Sequence, residues 1–282
     1  MAIRLDPPNG GPVFKLRINM AYRFVDLTLV VDPADTYVQF PRDEIYDKPA
    51  PGTTISPIAV LDTDHICNFG FTTTTQSYTH YDAPYHFFHD GLKNHEVPLD
   101  HLCGDACVLK VPGKGNSETV TAKDLEATGV EVRPGDIAIV STEWTDRMWG
   151  SRDFWEHMVY LSTDAADWLI ERGIKALVQD FMTCDSPLYP PEERRWPAPN
   201  WSPNHIKFLE RGICLIEWCT NIGAIYQERV LLVTGAMKLK DTEGAPARVI
   251  AIEVVDEEPP RGALPPLPPL GESYKDRGAW EK

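Results

Sequence analysis

The sequence predicts an α/β fold made of one domain with a proline-rich tail behind it. Short apolar, β-branched runs are mixed along the chain with segments that carry helix-capping residues, a pattern typical of α/β proteins. No change of composition divides residues 1–256, so we expect a single domain there. Residues 257–282 contain six prolines and cannot form regular structure alone, so we expect a disordered end or an arm that lies on another surface.

The strands are predicted from alternating or continuous apolar runs bounded by turn residues. Five prolines between residues 32 and 57 exclude a helix there and indicate a long ordered loop. The predicted strands are Tyr22–Val31, Ile58–Thr63, Cys67–Thr74, Thr75–Tyr81, Cys107–Val111, Ile137–Thr142, Val178–Phe181, Ile213–Cys219, Val230–Lys240 and Ala247–Val255.

Two helices are predicted from the residues at their ends. In residues 161–173 a Ser or Thr can cap the start, and Gly173 stands where a left-handed C-terminal cap belongs. In residues 201–212, Ser202 is a natural N-cap, Pro203 fits the first helical position, and a glycine ends the helix.

The charge balance excludes several classes of partner. The chain has 27 Lys and Arg against 42 Asp and Glu, a formal net charge of −15, which disfavours nucleic-acid backbones and anionic membranes. No apolar run reaches the length of a membrane span of about 18 residues, and residues 1–12 lack the apolar core of a signal peptide. We therefore expect a cytoplasmic protein whose six cysteines are thiols.

The residues that indicate chemistry are concentrated in the segment 76–90, QSYTHYDAPYHFFHD. If its first part is a strand, Gln76, His80 and Asp82 share one face, because side chains alternate with period two. An amide oxygen, an imidazole and a carboxylate form a mixed ligand set that suits zinc, manganese or ferrous iron. A proline bends the chain next, so His86 can return toward that face as a general acid or base. A polar solvent face on a half-exposed strand remains the alternative.

A second indication is the carboxylate of Glu217 inside the otherwise apolar run 213–219, ICLIEWC. A buried, unpaired carboxylate is costly, so Glu217 needs a cation or strong hydrogen-bond donors. A metal ion would satisfy it, and His205 on the preceding helix could join the same site. Pairing with an arginine such as Arg248 is the alternative.

Residues 79–87, THYDAPYHF, resemble the HxxxHxDxPxH signature of the cyclase family of metal-dependent hydrolases. Several further segments resemble this family in the same order along the chain, so the resemblance covers roughly residues 22–255. These segments are YRFVDLTLVVDP with the following Phe40-Pro41 pair, LSTDAADWLIERGIKALVQD, LIEWCTNI and KLKDTEGAPARVIAI.

The resemblance implies a fold, an activity and an assembly. The family includes bacterial kynurenine formamidase, isatin hydrolase and some dienelactone hydrolases. The implied fold is α/β, with a mixed, barrel-like sheet as the core and flanking helices, a swivelling β/α arrangement. Because members are commonly dimers or tetramers, we expect a homodimer or homotetramer that binds a small-molecule substrate, with no nucleic acid or membrane partner.

The resemblance also implies roles for individual residues. His80 and Asp82 match metal ligands, and His86 matches the catalytic acid/base histidine. Glu217 matches a ligand that two-metal members share between their ions. His205 stands twelve residues before it, where the family has a ligand of the second metal.

Two further positions bear on metal and substrate. Phe40 sits where members often have an aromatic residue that stacks on the substrate. Gln76 replaces the first metal-binding histidine of the family. An amide oxygen is a harder and weaker donor than imidazole, so we expect Gln76 to shift metal preference from Zn²⁺ toward Mn²⁺, or to change the number of ions.

The sequence therefore predicts a metal-dependent hydrolase that cleaves the C–N bond of a small amide, either an N-formyl arylamine or a cyclic amide of the isatin type. Metal-activated water would attack the carbonyl, and His86 would carry the proton. A lactone hydrolase that uses the same site is one alternative. A non-catalytic metal- or ligand-binding member of the fold is another, and Gln76 is the residue that keeps it open.

Overall fold

The computed structural model describes residues 21–34, 52–186 and 202–255. Residues 24–253 form one compact unit, and the described residues 21–23 and 254–255 lie outside it. Phe40 and the predicted tail 257–282 lie outside the described residues, so their predicted roles stay predictions.

The described residues form short strands joined by short helices. The strands are β1 (Ala21–Asp26), β2 (Thr54–Ala59), β3 (Asn68–Thr72), β4 (His80–Asp82), β5 (Cys103–Lys110), β6 (Thr119–Val120), β7 (Ile137–Ser141), β8 (Tyr160–Leu161), β9 (Ala176–Gln179), β10 (Cys214–Glu217), β11 (Arg229–Ala236) and β12 (Gly244–Val255). The helices are α1 (Leu61–Asp64), α2 (Leu99–Leu102), α3 (Ala122–Ala127), α4 (Trp144–Met148), α5 (Asp153–Glu156), α6 (Thr163–Glu171) and α7 (Pro203–Glu210). None of these described helices is both long and apolar enough to cross a membrane.

Seven strands close into a barrel-like sheet in the order β12-β11-β5-β7-β9-β10-β4, with β4 pairing back to β12. The sheet is mixed, because β5, β7, β9 and β10 run parallel to their neighbours in this group. Strands β4 and β11 each pair antiparallel with both of their neighbouring strands. The predicted α/β class with a mixed, barrel-like core is confirmed.

The two faces of the sheet bury two different apolar clusters. One cluster takes most of its members from strands and includes Tyr81, Val178 and Ile216. The other includes Leu177 and Leu215 and is covered by helices such as α6 and α7. Because side chains alternate along a strand, the neighbours of Tyr81 and Ile216 point to the helix-covered face. The candidate site residues His80, Asp82 and Glu217 therefore lie on the helix-covered face.

Several predicted boundaries were wrong. Residues 75–79, expected as strand, form turns, and only His80–Asp82 pairs in the sheet. Tyr78 has a left-handed backbone, with φ of 59°, which interrupts the strand immediately before β4. The run expected as a strand from residue 58 to 63 is split between the end of β2 and the short helix α1. The two helices predicted from capping residues are α6 and α7.

Candidate metal centre

Four buried side chains meet on the helix-covered face of the sheet. His80 and Asp82 come from β4, and the antiparallel register places Glu217 of β10 directly opposite His80. The Nε2 atom of His80 lies 3.8 Å from Asp82 Oδ1 and 3.7 Å from Glu217 Oε2. His205 enters from the first turn of α7, and its Nε2 lies 3.7 Å from Asp82 Oδ2 and 3.6 Å from Glu217 Oε1. Imidazole nitrogens and carboxylate oxygens therefore alternate around one point.

The donor set fits a divalent metal ion. Four donors at about 2.1 Å from a tetrahedral zinc lie about 3.4 Å from one another, close to the spacings found here. Asp82 is fully buried, and its Oδ2 accepts no hydrogen bond from any described residue. In the described part of the chain, the charged partners of Asp82 and Glu217 are histidines and not Lys or Arg. A cation is what this pair of buried acids requires.

The electrostatics of the four residues agree with that requirement. Burial raises the pKa of Glu217 well above its ordinary value, and the nearby charge of Asp82 adds to the effect. Burial also opposes ionisation of Asp82, but the neighbouring histidines, His86 first, hold its pKa well below the ordinary range. Burial works against protonation of His205, but its contacts with Cys184, Asp185 and Asp82 outweigh this effect. The pKa of His205 therefore lies well above its ordinary value. One carboxyl group of the pair thus resists ionisation until a cation is close.

His86 lies at the edge of this group, in a single helical turn that follows β4. It is half-buried, and a ring nitrogen lies within 4.8 Å of donor atoms of Asp82 and His205. Its ring packs edge-on against Phe87, with centroids 4.9 Å apart. Burial lowers the pKa of His86 below its ordinary value, against the opposing charge of Asp82. The structure therefore places the His86 ring beside the four-residue group, with its pKa shifted toward the neutral form.

Gln76 also reaches the centre, from a turn and not from a strand. Its Nε2 donates to Asp82 Oδ1 at 2.7 Å and to Glu243 Oε1 at 3.4 Å. The amide nitrogen, and not the oxygen expected as a ligand, therefore faces Asp82. Gly244 makes room for this arrangement, because a Cβ there would lie 3.1 Å from Gln76 Nε2 and would clash with the Tyr81 carbonyl oxygen.

Sequence reasoning missed three residues around the centre. Gln179 donates from Nε2 to Glu217 Oε1 at 3.0 Å, Asp185 contacts His205, and Glu243 accepts from Gln76 and Thr75. Gln179 carries the same signal that singled out Glu217, a polar side chain inside an apolar strand. Asp185 and Glu243 lie in loops and show no comparable signal.

Aromatic side chains wall the centre on two sides. Trp218 packs edge-on against the His80 ring at 5.4 Å, and Phe87 stacks on the His205 ring at 5.0 Å. Trp218 has a left-handed backbone, with φ of 56°, and its carbonyl oxygen accepts a hydrogen bond from Thr79 Oγ1 at 2.8 Å. Behind it, Trp155 packs on the same indole. These contacts restrict the orientation of both imidazole rings.

Several solved structures share the fold of this chain. One is isatin hydrolase A from Labrenzia aggregata bound to benzyl benzoate, with a TM-score of 0.70 and 21% identity over 84% of this chain and 94% of that one. Another is a potential metal-dependent hydrolase with cyclase activity, with a TM-score of 0.61 and 20% identity over 85% of this chain and 100% of that one. At these identities the likeness establishes a shared fold.

The family is established by the sequence itself. The family model described as putative cyclase matches residues 25–186, more than half of the chain, so this protein belongs to the Cyclase family. Its relatives include the kynurenine formamidase of Bacillus cereus, 25% identical over 61% of this chain and 73% of that protein. They also include the kynurenine formamidase of Erythrobacter litoralis, 25% identical over 66% of this chain and 76% of that protein.

Proposed function

We propose that this protein is a metal-dependent hydrolase that cleaves a C–N bond of a small amide. The observation that carries the proposal is the buried, alternating set of two imidazoles and two carboxylates, with neighbouring donor atoms 3.6–3.8 Å apart. The names of similar proteins, kynurenine formamidase and isatin hydrolase, supply the substrate classes: N-formyl arylamines and cyclic amides. Phe40 is proposed as the residue that stacks on such a planar substrate.

The residues that would hold the metal are His80, Asp82, His205 and Glu217, with Mn²⁺ or Zn²⁺ as the expected ions. Gln76 is a further candidate through its amide oxygen, because its nitrogen is engaged with Asp82. A bound divalent ion lowers the pKa of water and polarises a carbonyl group, which is the chemistry that amide hydrolysis needs.

His86 is proposed as the acid/base residue. Burial keeps its pKa low, so one ring nitrogen is free to accept a proton at neutral pH. In the proposed reaction, the oxygen of water forms a bond to the carbonyl carbon and the C–N bond breaks. A water proton passes to the His86 ring and from there to the departing nitrogen. Asp82 lies close enough to stabilise the transient imidazolium.

The test combines metal analysis with a substrate panel. The purified protein is expected to contain a divalent metal and to hydrolyse N-formyl arylamines or cyclic amides faster than lactones. His86→Ala should lower kcat by about 10²- to 10⁴-fold without lowering the metal content. His89→Ala is the matched control, because the His89 side chain is 95% exposed and stands three residues further along.

A protein without bound metal, or a His86→Ala variant as active as the wild type, would refute the proposed mechanism. A preference for lactones would keep the site but replace the substrate class. Metal binding with no hydrolysis of either class would identify a binding protein on this fold.

We also propose that the chain assembles as a homodimer or homotetramer. Strands β2 and β3 pair only with each other within the described chain, and a two-stranded sheet alone is marginally stable in water. This hairpin exposes large apolar side chains, which is typical of an interaction surface. They are Ile55, Ile58, Phe69 and Phe71.

Light scattering on the purified protein tests this assembly. Ile58→Lys should shift the mass toward the monomer if the hairpin is the interface. Val30→Lys is the control, because Val30 is exposed to a similar extent and lies outside the hairpin. A wild-type monomer would contradict the proposal.

A further inference from the structure

We propose that Asp185 is a positioning residue of the metal centre, which fixes the ring tautomer of His205 so that Nε2 is the atom offered to a metal. The inference rests on the proposed function in assuming that a metal binds there. It stands on a short contact: His205 Nδ1 lies 2.6 Å from Asp185 Oδ2. Both side chains are buried.

The position of Asp185 is fixed by the start of α7. Its Oδ1 accepts from the backbone N–H of Asn204 at 2.8 Å, and its Oδ2 accepts from that of His205 at 3.1 Å. Ser202, the N-cap expected from the sequence, has φ of 42° and makes no capping bond with its side chain. A carboxylate from a preceding loop thus caps this helix, at the end where the helix dipole favours negative charge.

The chemistry of imidazole links this cap to the metal centre. A neutral imidazole carries one N–H, and the other ring nitrogen holds the lone pair that can bind a metal. With its proton on Nδ1 and shared with Asp185, His205 directs the Nε2 lone pair toward Asp82 Oδ2 and Glu217 Oε1, 3.7 and 3.6 Å away. A proton on Nε2 would block the centre.

Two neighbours complete the restraint on the ring. Phe87 stacks on His205 at an interplanar angle of 26°, which sets the plane of the imidazole. The Cys184 thiol lies 3.4 Å from Nδ1, but burial raises its pKa, so it remains a weak, neutral partner. His80 differs, because its Nδ1 donates to the backbone carbonyl of Tyr78 at 2.7 Å. Nδ1 of His80 is therefore held by a backbone carbonyl, whereas Nδ1 of His205 contacts a side chain that can be substituted.

The decisive variant is Asp185→Asn, in which the remaining carbonyl oxygen can still cap the helix. Metal affinity is measured by chelator competition with Mn²⁺ and Zn²⁺, and the variant is expected to bind about 10- to 100-fold more weakly. The ring tautomer of His205 is read from long-range ¹H–¹⁵N spectra of the metal-free protein at a pH above the raised pKa of this ring, where the imidazole is neutral. The signal is assigned by its loss in His205→Gln. The wild type should be the Nδ1–H form, the variant a mixture, and Asp185→Glu should restore part of both effects.

Two controls separate positioning from general stability. Asp167→Asn makes the same change on α6, where Asp167 pairs with Lys207 of α7 and does not contact His205. Asn204→Ala removes side-chain bonds to the carbonyls of Leu161 and Cys184, which anchor the same loop, and leaves the His205 ring bonds in place.

The inference is overturned if Asp185→Asn binds metal within threefold of the wild type, or if its His205 stays in the Nδ1–H form. It is also overturned if Asn204→Ala weakens binding as much as Asp185→Asn does. If Asp185→Asn does not fold, the tautomer of His205 in the wild type and in Asp185→Glu decides, and an Nε2–H form in the wild type refutes the inference. Absence of any metal binding would instead refute the proposed function, because the tautomer readout does not depend on metal.

Discussion

The hydrogen bond from Gln179 to Glu217 gives the sharpest prediction about the metal centre. Gln179 is fully buried on β9, and its Nε2 donates to Glu217 Oε1 at 3.0 Å. Its own Oε1 is buried and accepts no hydrogen bond from any described residue. Gln179→Leu keeps roughly the same volume and removes both atoms. The variant therefore loses one donor to Glu217 and also loses one unsatisfied acceptor.

The expected magnitude follows from the charge state of Glu217. Burial raises the pKa of this carboxyl, so its ionised form depends on nearby donors, and metal binding needs that form. A hydrogen bond to a charged group contributes about 1.5–3 kcal/mol, and about 1.4 kcal/mol corresponds to a tenfold change in affinity. Gln179→Leu should therefore weaken metal binding about 10- to 150-fold, while the free energy of unfolding of the metal-free protein changes by about 1 kcal/mol or less.

Competition with a chelator measures the affinity, and urea unfolding of the metal-free protein measures the stability. Thr234→Val is the control, since it removes a buried hydroxyl without a partner among the described residues from β11, a strand that contributes no ligand. At saturating metal the kcat of Gln179→Leu should return to near the wild-type value. A variant that binds metal within twofold of the wild type would show that Gln179 does not support Glu217.

Three further predictions concern metal removal, metal preference and pH. Chelation should lower the free energy of unfolding by about 2.7 kcal/mol relative to protein held at a hundredfold excess of metal over Kd, because buried acids are left without a cation; equal melting temperatures would contradict this. Gln76→His should raise zinc affinity relative to manganese at least about tenfold, since imidazole is the softer donor; an unchanged ratio in competition binding would argue against any contact of Gln76 with the metal. Burial raises the pKa of Asp180 from 3.8 to about 6, although hydrogen bonds to its carboxyl group, first those from Thr142, act to lower it. A raised pKa means that the folded state favours the protonated acid, so this stabilisation is complete below about pH 4 and is lost as the pH rises through about 6. The unfolding free energy of the wild type minus that of Asp180→Asn, measured in chelator, should therefore fall by about 2.4 kcal/mol between pH 4 and pH 7.5; a difference independent of pH would contradict the assignment.

The parts of the site that the sequence predicted are those decided by local periodicity. Alternation alone puts His80 and Asp82 on one face, and three residues of strand are enough for this to hold. The same rule directs Glu217 away from the barrel interior, which is filled by apolar side chains such as Ile216. His205 lies in the first turn of a helix whose start was marked by a proline. No long-range information was needed for these positions.

The remaining features depend on contacts between distant parts of the chain. Gln76 is held by Glu243, 167 residues away, and its turn depends on the left-handed backbone of Tyr78. Asp185 replaces Ser202 as the cap of α7 because the loop after β9 delivers a carboxylate to the helix start. Local propensity favours the serine, and tertiary packing overrides it.

The position of β4 explains why the site and the closure of the barrel coincide. This strand of three residues pairs with β10 on one side and with β12 on the other, so it closes the sheet. The same pairings bring Glu217 opposite His80 and Gly244 opposite Asp82, and Gly244 in turn carries Glu243 to Gln76. A strand this short contributes few hydrogen bonds to hold the barrel closed. A metal bound by residues of β4, β10 and α7 would join the two sides of that closure, so metal binding and barrel stability are coupled through the same residues.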